Sequence, residues 1–312
     1  MNESPLVSIC IPTYNGDLYI KECLNSAINQ TYENIEIIIS DDNSQDDTIY
    51  LINSILSKTN IEHKIITNHS SRGVADNWNN AIKKSSGQYI KMLFQDDYLY
   101  PDCIEKMISL AKNQKELGLI FSLRDPIYEK DITKDITGRS TIDFILNQKK
   151  YLGNIPAIQE GIDLIKNKYL LSGDNIIGEP SSVLINNNVF DEIGYFNPKL
   201  IQFIDLEMWY GILLRYKIGF INEPLTGFRI HVNQLSYNNR AHINQALEEL
   251  LKILHKLYKN LIRLNFNKYY LFLAHQKIKK IIMSKKKYWV IIRPFWKLYH
   301  SITKRMLRYY YT

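Results

Sequence analysis

The chain has 312 residues, of which 45% are apolar and 23% are charged, and these proportions exclude a mainly disordered protein. The formal net charge is +7. No run of about 18 apolar residues occurs, which argues against a membrane-spanning helix. The three cysteines show no C-x-x-C spacing, which argues against a disulfide framework or a structural zinc site and favours a reducing compartment. The opening MNESP has no basic segment followed by an apolar core, so we expect no secretory signal.

The charge is unevenly distributed along the chain. Residues 250–312 contain 16 Lys and Arg and no Asp or Glu, whereas residues 1–249 carry a net charge of −9. Within 276–312 the basic side chains are interleaved with Trp, Tyr and Phe, which is typical of segments that bind an anionic membrane surface. We therefore predict membrane binding by residues 276–312. A helix packed on the domain, a protein partner and, least favoured, nucleic acid are the alternatives.

Short β-branched runs alternate with amphipathic stretches in the first third of the chain. Strands are predicted over 6–11, 35–39, 64–67 and 89–94, and helices over 18–29, 46–57, 75–84 and 101–112. Such alternation indicates βαβ units and therefore an α/β fold with a parallel sheet flanked by helices. Ligands of such sheets bind beyond the carboxyl ends of the strands, so the residues directly after each strand are the candidates for function.

The alternation stops after a strand predicted over 119–122. Residues 124–159 are polar with scattered apolar side chains and are predicted to be a loop-rich insertion. Strands over 181–185 and 218–221 and a helix over 206–215 follow. Leucines at helical spacing then predict a helix over about 241–262. The stripe from Leu247 to Leu261 could belong to the core or to a dimer contact, and we favour the core.

Polar segments follow three of the early strands. They are PTYNG (12–16), SDDNS (40–44) and QDD (95–97). A single Asp-Asp pair is usually a solvated turn or a helix cap, but two pairs directly after buried strands reduce the weight of that interpretation. Carboxylates that converge on one crevice can bind ribose or base and hold Mg²⁺ or Mn²⁺. A departing diphosphate needs such a cation, or several Arg and Lys, to neutralise its charge.

Four segments in order, VSICIPTYNG, ISDDNSQDDT, RGVADNWNNAI and FQDDYLYP, resemble glycosyltransferase family 2. The match covers about residues 5–110 and extends more weakly to about 236. The resemblance implies a GT-A fold with a mainly parallel sheet over 1–236. Within it, residues 1–122 would form the nucleotide-sugar half and residues 160–236 the acceptor and catalytic half. A helical, basic and aromatic extension would follow over 237–312.

The resemblance also implies roles for residues of the first half. The nucleotide and donor pocket would be lined by Pro12, Tyr14, Asn15, Asp42, Arg72, Asn77 and Asp96. Asp42 would accept a hydrogen bond from the base, with Asp41 as a close competitor. Asp96 would face both ribose and metal, and Asp97 would bind the metal. Phe94 and Gln95 stand where the family's motif usually has its leading acid.

In the second half, the family's catalytic base lies in an acid-Asp-x-x-x-Trp pattern that opens a helix. The segment FIDLEMW (203–209) resembles it, with Ile204 at the position of the first acid. Asp205 is the predicted base and Glu207 its rival, while a role limited to helix capping is the third possibility.

Two further segments resemble parts of the family's site. Glu179, within GEPSS, would bind a hydroxyl of the acceptor, although a structural turn is an equal alternative. Arg229 and His231 resemble the family's Arg-x-His segment, in which His231 would reach the metal or the diphosphate and Arg229 would pair with phosphate. A purely structural role is the alternative for His231.

Three functions compete at this point. The leading hypothesis is an inverting, metal-dependent glycosyltransferase of the hexosyltransferase type. It would use a nucleoside-diphosphate sugar, most simply a UDP-sugar, with Mn²⁺ or Mg²⁺, and a glycan or lipid-linked acceptor in cell-surface polysaccharide biosynthesis. We expect it in the cytoplasm, peripheral to the inner face of the cytoplasmic membrane.

The second hypothesis is another nucleotide enzyme, such as a sugar nucleotidyltransferase or a dehydrogenase. It would require a glycine-rich first loop, and neither G-x-G-x-x-G nor a P-loop occurs. The third is a non-catalytic, membrane-associated carbohydrate- or nucleotide-binding protein derived from a transferase. The retained metal carboxylates and candidate base argue against it.

Overall fold

The computed structural model describes residues 4–112, 114, 116–128, 132–133, 136–232, 234, 243–264, 266–267 and 270. Over these residues the chain forms one mixed sheet of nine strands. The strands are β1 (Val7–Thr13), β2 (Ile35–Asp41), β3 (Glu62–Thr67), β4 (Tyr89–Met92), β5 (Tyr98–Leu99), β6 (Leu117–Tyr128), β7 (Ile158–Glu160), β8 (Val183–Asn186) and β9 (Lys217–Ile230). Their order is β3-β2-β1-β4-β8-β6-β9-β5, and β7 pairs with β9.

The first four strands are parallel, as the βαβ pattern predicts. Every residue of β1, β2 and β4 is buried, which explains their continuous β-branched runs, because a parallel sheet has helices on both faces. Thr13 pairs with Asp41, and Asp41 pairs with Thr67. The carboxyl ends of β1, β2 and β3 are therefore level, and the polar segments that follow them lie side by side.

Helices cover both faces of the sheet. They are α1 (Ile20–Ile28), α2 (Thr48–Leu56), α3 (Val74–Lys83), α4 (Cys103–Ala111), α5 (Ile136–Leu146), α6 (Gln148–Leu152), α7 (Gly161–Ile165), α8 (Asn188–Ile193), α9 (Ile204–Leu213) and α10 (Ile243–Arg263). One core lies between the sheet and α1, α2 and α4. A larger core lies on the other side with α3, α7, α9 and α10. Short 3-10 turns occur over Leu170–Ser172 and Pro180–Ser182.

The prediction of a loop-rich insertion over 124–159 is wrong. β6 continues to Tyr128, and α5, α6 and β7 follow before residue 161. The pattern hid this strand because its partner is remote: β6 pairs with β9 along almost its full length, to Tyr128 opposite Ile230. That pairing satisfies the backbone of a segment that contains Arg124 and Pro126. The apolar side of α5 packs Ile142 and Ile145 against Ile230.

The leucine stripe of α10 lies in the core. Leu254, Leu257 and Leu261 are buried in the same cluster as Trp209 of α9, and the hydroxyl of Tyr258 donates to the carbonyl of Leu171. The predicted membrane-binding segment, 276–312, lies outside the described residues. None of the helices described above is long and apolar enough to cross a membrane.

Candidate active site

The loops that follow β1 and β2 are bonded to each other at the polar edge of the sheet. The amide N–H of Asn15 donates to Oγ of Ser44 over 2.9 Å, and Oδ1 of Asn15 accepts from the N–H of Gln45 over 2.9 Å. Asn15 and Asn43 have φ angles of 46° and 70°, a left-handed conformation that Asn tolerates better than most residues. Asn15, predicted to line the nucleotide pocket, therefore shapes the loop as well.

Asp42, predicted to bind the base, is buried and its carboxylate accepts four hydrogen bonds. The donors lie in the loop before α3: Oγ of Ser71 at 2.6 Å, N–H of Arg72 at 2.7 Å, N–H of Gly73 at 3.1 Å and Nδ2 of Asn68 at 3.2 Å. A carboxylate offers about four lone-pair positions. Asp42 therefore fixes the loop over 68–73, and the side chain of Arg72 stands exposed at its rim.

Asp41, the competitor, is fully buried. It accepts from Oγ1 of Thr13 over 2.9 Å and from both N–H and Oγ of Ser44. Asn77 of α3 lies beside it: its Nδ2 donates to the carbonyl of Thr13 over 3.2 Å, and its Oδ1 accepts from Oγ of Ser40 over 2.7 Å. These side chains tie the ends of β1 and β2 to α3, and Pro12 lies within buried β1.

Gln95 connects the end of β4 to the loop after β1. Its Oε1 accepts from the N–H of Tyr14 over 2.8 Å, and its Nε2 donates to the carbonyl of Tyr14 over 3.0 Å. An amide can make both bonds, whereas a carboxylate can only accept. A Cβ added to Gly16 would lie 2.4 Å from Oε1 of Gln95, so a larger residue there would displace the Gln95 amide. In the sequence Gln95 stands out only as a departure from the family pattern, and its link to Tyr14 was not predicted. The ring of Tyr14 is half-exposed.

Asp97 is buried with an unused oxygen. Its Oδ1 accepts from the N–H of Arg229 over 3.0 Å, whereas Oδ2 accepts no hydrogen bond from any described residue. The Ser181 hydroxyl, whose oxygen accepts from the N–H of Phe94, lies near enough to Asp97 to lower its pKa. Burial, and next the charge of Asp96, raise the pKa of Asp97 well above its usual value.

The predicted Arg-x-His segment reaches the same place because β9 is long. Nε2 of His231 lies 3.0 Å from Oδ2 of Asp96. The guanidinium of Arg229 donates from Nε to the carbonyl of Asp96 over 2.9 Å, forms an ion pair with Glu22, and lies 4.6 Å from the ring centre of Tyr19. Arg229 and His231 thus join β9 to the segment after β4.

Asp97, Asp96 and His231 are donors of the types that a divalent cation binds. No described residue donates a hydrogen bond to the buried Oδ2 of Asp97, and carboxylate oxygen is the ligand that Mg²⁺ and Mn²⁺ prefer. Over the residues that the structure describes, no three His, Cys, Asp or Glu side chains come together as a metal cluster. A cation here would therefore take further ligands from outside the protein, such as substrate phosphate or water.

Asp205, the predicted base, lies in the first turn of α9 and is partly exposed. Its Oδ1 accepts from the N–H of Leu206 over 2.7 Å, and its Oδ2 from Nδ2 of Asn175 over 2.8 Å. Burial, and next the charge of Glu179, raise the pKa of Asp205 to about 7, although Arg124 opposes the shift. A carboxyl group that titrates near neutral pH suits a general base.

The spacing of Asp205 and Trp209 has a structural reason. Residues i and i+4 share one face of a helix, so both side chains face the same turn. Nε1 of Trp209 donates to the carbonyl of Gly178 over 3.0 Å. Asp205 reaches that turn through Asn175, whose Nδ2 donates both to Asp205 and to the same carbonyl. Asn175 was missed in the sequence because nothing in the local pattern distinguishes it from any other polar turn residue.

Glu179 forms an ion pair with Arg124, whose Nε lies 2.5 Å from Oε2. Arg124 is 4% exposed, and it was missed because it stands at the start of the supposed insertion. The charge of Glu179 raises the pKa of both Asp97 and Asp205. Glu179, in the turn before β8, is therefore within electrostatic range of Asp97, in the segment after β4, and of Asp205 in α9.

Lys91 of β4, also missed, is fully buried, and burial lowers its pKa. Its Nζ donates to the carbonyls of Ser181 and Val183. The strand that leads to Asp97 is thereby bonded to the turn that carries Glu179. A cation below this acidic site offsets part of its negative charge.

The rival base lies elsewhere. Glu207 pairs with Lys256 of α10 over 2.8 Å, and both line a cavity of about 360 Å³ between α9 and α10. The structure thus places Asp205 and Asp97 within electrostatic range of Glu179, whereas Glu207 pairs with Lys256 on another side of α9.

Comparisons with known proteins identify the family to which this chain is similar. A model of the family described as "Glycosyl transferase family 2" matches residues 8–171. An uncharacterized glycosyltransferase of Rickettsia felis is 32% identical over 256 residues, which are 81% of this chain and 39% of that protein. The hyaluronan synthase of Pasteurella multocida is 37% identical over 122 residues, 39% of this chain and 12% of the synthase. The chain spans well under half the length of these two relatives.

Two solved structures have the same fold at low identity. TarS of S. aureus has a TM-score of 0.61 at 14% identity, with 94% of this chain and 77% of that chain covered. It is also known in complex with UDP and with UDP-GlcNAc. The mannosyltransferase PcManGT of Pyrobaculum calidifontis, in complex with GDP-Man and Mn²⁺, has a TM-score of 0.59 at 14% identity, with 98% and 85% covered. The predicted GT-A fold class is confirmed.

Proposed function

Because the chain belongs to glycosyltransferase family 2, we propose that it moves a sugar from a nucleoside-diphosphate sugar to a glycan or lipid-linked acceptor, with inversion at the anomeric carbon. The predicted family and enzyme class, a glycosyltransferase, are confirmed by this membership. One observation carries the proposal furthest. The charge of Glu179 raises the pKa of both Asp97 and Asp205. Asp97 has a buried oxygen to which no described residue donates, and the pKa of Asp205 is about 7.

The donor is proposed to be a nucleotide sugar, most simply a UDP-sugar. TarS in complex with UDP and UDP-GlcNAc, and the mannosyltransferase in complex with GDP-Man, support this class of donor. The nucleotide would lie across the carboxyl ends of β1 and β2, near Tyr14, Asn15 and Asn77. The loop fixed by Asp42 would place the exposed guanidinium of Arg72 beside the diphosphate.

A divalent cation, Mn²⁺ or Mg²⁺, would be held by Asp96, Asp97 and His231. When bound, it would neutralise the charge that develops on the diphosphate as it leaves. The Mn²⁺ of the mannosyltransferase structure supports a cation in this role. Burial of Asp97 at the base of the site would keep its carboxylate fixed while substrates exchange.

The reaction would be a single displacement. Asp205 accepts the proton of an acceptor hydroxyl, the hydroxyl oxygen forms a bond to the anomeric carbon, and the bond from that carbon to the diphosphate breaks with its electron pair on the departing oxygen. Because the pKa of Asp205 is about 7, a substantial fraction of the carboxylate is charged at neutral pH and able to act. Glu179, fixed by Arg124, would bind a hydroxyl of the acceptor.

The setting is proposed to be cell-surface polysaccharide assembly at the inner face of the cytoplasmic membrane. Hyaluronan synthase, a polysaccharide synthase by its name, supports the class of product. The basic and aromatic composition of residues 276–312 supports membrane attachment.

Donor turnover tests the proposal. The purified chain is incubated with UDP-, GDP-, dTDP- and CMP-sugars, with Mn²⁺ or EDTA and with lipid acceptor extracts, and released nucleotide is measured. We expect metal-dependent release from one donor and none from Asp97→Ala. Absence of both release and nucleotide binding across the panel would contradict the proposal, and binding without release would favour the non-catalytic alternative.

A matched pair of variants separates the base from its rival. With the donor so identified, Asp205→Asn is expected to lower kcat by about 10²–10⁴, whereas Glu207→Gln loses only its ion pair with Lys256 and should change kcat less than about twofold. The opposite ranking would assign the base to Glu207.

A further inference from the structure

Asn175 has both ends of its side chain engaged. Its Nδ2 donates to Oδ2 of Asp205 over 2.8 Å and to the carbonyl of Gly178 over 3.0 Å, while its Oδ1 accepts from the N–H of Gly178 over 3.1 Å. Exchanging the amide nitrogen and oxygen would place an acceptor against a carboxylate and a donor against an N–H. Only one orientation of the amide satisfies all three bonds.

The carboxylate of Asp205 is held by one donor on each oxygen. The N–H of Leu206 bonds to Oδ1 and the amide of Asn175 bonds to Oδ2. The first donor belongs to the same helix as Asp205 and moves with it. Asn175 is therefore the contact that relates Asp205 to a different part of the chain, the turn over 175–182 that also carries Glu179.

That turn is itself firmly built. Gly178 has a φ angle of +116°, and a Cβ there would lie 2.4 Å from Oγ of Ser182 and 3.0 Å from Nη1 of Arg124. Its carbonyl accepts from both Asn175 and Trp209. Asn175 thus fixes Asp205 against a rigid neighbour rather than against a loop that adapts to it.

We propose that Asn175 is a positioning residue that sets the orientation of the Asp205 carboxylate relative to Glu179, so that the base meets the acceptor hydroxyl in one fixed geometry. General-base catalysis depends on such geometry, because a proton is transferred only over hydrogen-bond distance. This inference rests on the proposed function, in which Asp205 is the base.

The alternative is a purely structural role, in which Asn175 only stabilises the turn. Trp209 provides the matched control, because its Nε1 also donates to the carbonyl of Gly178 but its hydrogen bond does not involve Asp205. Trp209→Phe removes a bond to the turn and leaves the Asn175–Asp205 bond in place. Asn175→Ala removes the bonds of Asn175 to the turn and also its bond to Asp205.

Direct titration of Asp205 distinguishes the two roles without any donor. The groups that face Asp205 are Glu179, Arg124, the N–H of Leu206 and the amide of Asn175. A hydrogen bond to a carboxylate favours its charged form. Asn175→Ala should therefore move the Asp205 midpoint, about 7 in the unmodified chain, upward by about one pH unit, and Trp209→Phe should leave it in place.

The measurement is a pH titration by NMR of the full chain labelled with ¹³C at the Asp carboxyl groups, with Asp205→Asn identifying the resonance. Asn175→Asp is a second variant of nearly unchanged shape. It keeps the acceptor for the N–H of Gly178 and sets a carboxylate oxygen against Asp205, so its upward shift should exceed that of Asn175→Ala. An unmoved midpoint in both Asn175 variants, or an equal shift in Trp209→Phe, would overturn the role of Asn175.

Turnover then links the contact to catalysis. With the donor that the panel identifies, Asn175→Ala should lower kcat about tenfold at pH 7 with the donor KM unchanged, and a loss should persist above the shifted midpoint, where Asp205 is charged but no longer held in orientation. Full recovery of kcat at high pH, or a loss confined to KM, would overturn positioning. Full turnover by Asp205→Asn would instead show that Asp205 is not the base. That result would contradict the proposed function, and it is distinguishable from a failure of the Asn175 titration, which does not depend on turnover.

Discussion

The ends of β2 and β4 lie on either side of β1, and each carries two adjacent aspartates, yet the surroundings of the two pairs differ. Every oxygen of Asp41 and Asp42 accepts at least one hydrogen bond from the neighbouring loops. At the end of β4, Oδ2 of Asp97 accepts none from the described residues. The first pair is satisfied by its own chain and shapes it, whereas the second retains an acceptor for a group that comes from outside.

The difference has an energetic meaning. A buried carboxylate oxygen without a donor loses its hydration and gains nothing in return, so it costs folding free energy. The charges of Asp96 and Glu179 add to that cost at Asp97. Such a position persists where function requires it. The pair at β2 should therefore act mainly on stability, and the pair at β4 mainly on activity.

The largest expected effect is at Asp97. Asp97→Asn removes a buried charge while keeping shape and the bond that Oδ1 accepts from the N–H of Arg229. We expect metal-dependent donor turnover to fall by about 10³ or more, while the free energy of unfolding stays the same or rises by about 1 kcal/mol. Nucleotide release and chemical denaturation measure the two. A variant that unfolds more easily and retains turnover would reverse the comparison.

The first half of this contrast could be predicted from the sequence, because the strands and their polar ends are local patterns. VSICIPT and IEIIISD are continuous β-branched runs, and parallel pairing alone brings their ends to one edge. The state of each carboxylate could not be predicted. The hydrogen bonds that Asp42 accepts come from donors between Asn68 and Gly73. The bond that Asp97 accepts comes from Arg229, 132 positions away.

The second half shows the same limit more strongly. β6 beyond Ser122 contains Arg124 and Pro126 and has no strand pattern of its own, and it is ordered by remote pairing with β9. Arg124 and Asn175 became visible only with the fold, since their partners Glu179 and Asp205 lie 55 and 30 positions away. Asp205 and Trp209 could be identified in the sequence because they lie four residues apart within one element, in a segment that resembles the family's acid-Asp-x-x-x-Trp pattern.

The intermediate effect is at Asp42. Asp42→Asn would set an amide N–H₂ against donors, including the backbone N–H groups of Arg72 and Gly73, and leave some of them unpaired. We expect the free energy of unfolding to fall by about 2–3 kcal/mol, with a lower Tm. Asp97→Asn under the same conditions is the control. An unchanged Tm in Asp42→Asn would show that the loop over 68–73 does not depend on this carboxylate, and the two aspartate pairs would then be alike.

The smallest effect concerns Gln95, which joins the two regions by its pair of bonds to Tyr14. Gln95→Ala removes both bonds, so we expect the free energy of unfolding to fall by about 1 kcal/mol and the donor KM to rise a few-fold, because the loop that lines the proposed nucleotide pocket loses its tie to β4. Thermal unfolding and donor saturation curves measure these changes.

Gln95→Glu is the informative partner of that variant. It keeps the acceptor for the N–H of Tyr14 and loses the donor to the carbonyl of Tyr14, and it adds a negative charge beside Asp96. If the amide acts as a two-bond link, Gln95→Glu should lose roughly half as much stability as Gln95→Ala. If the position serves only to tune the charge near Asp96 and Asp97, Gln95→Ala should leave stability and donor KM unchanged and only Gln95→Glu should alter the metal dependence. That outcome would place Gln95 with the acids of β4 rather than with the loop of β1.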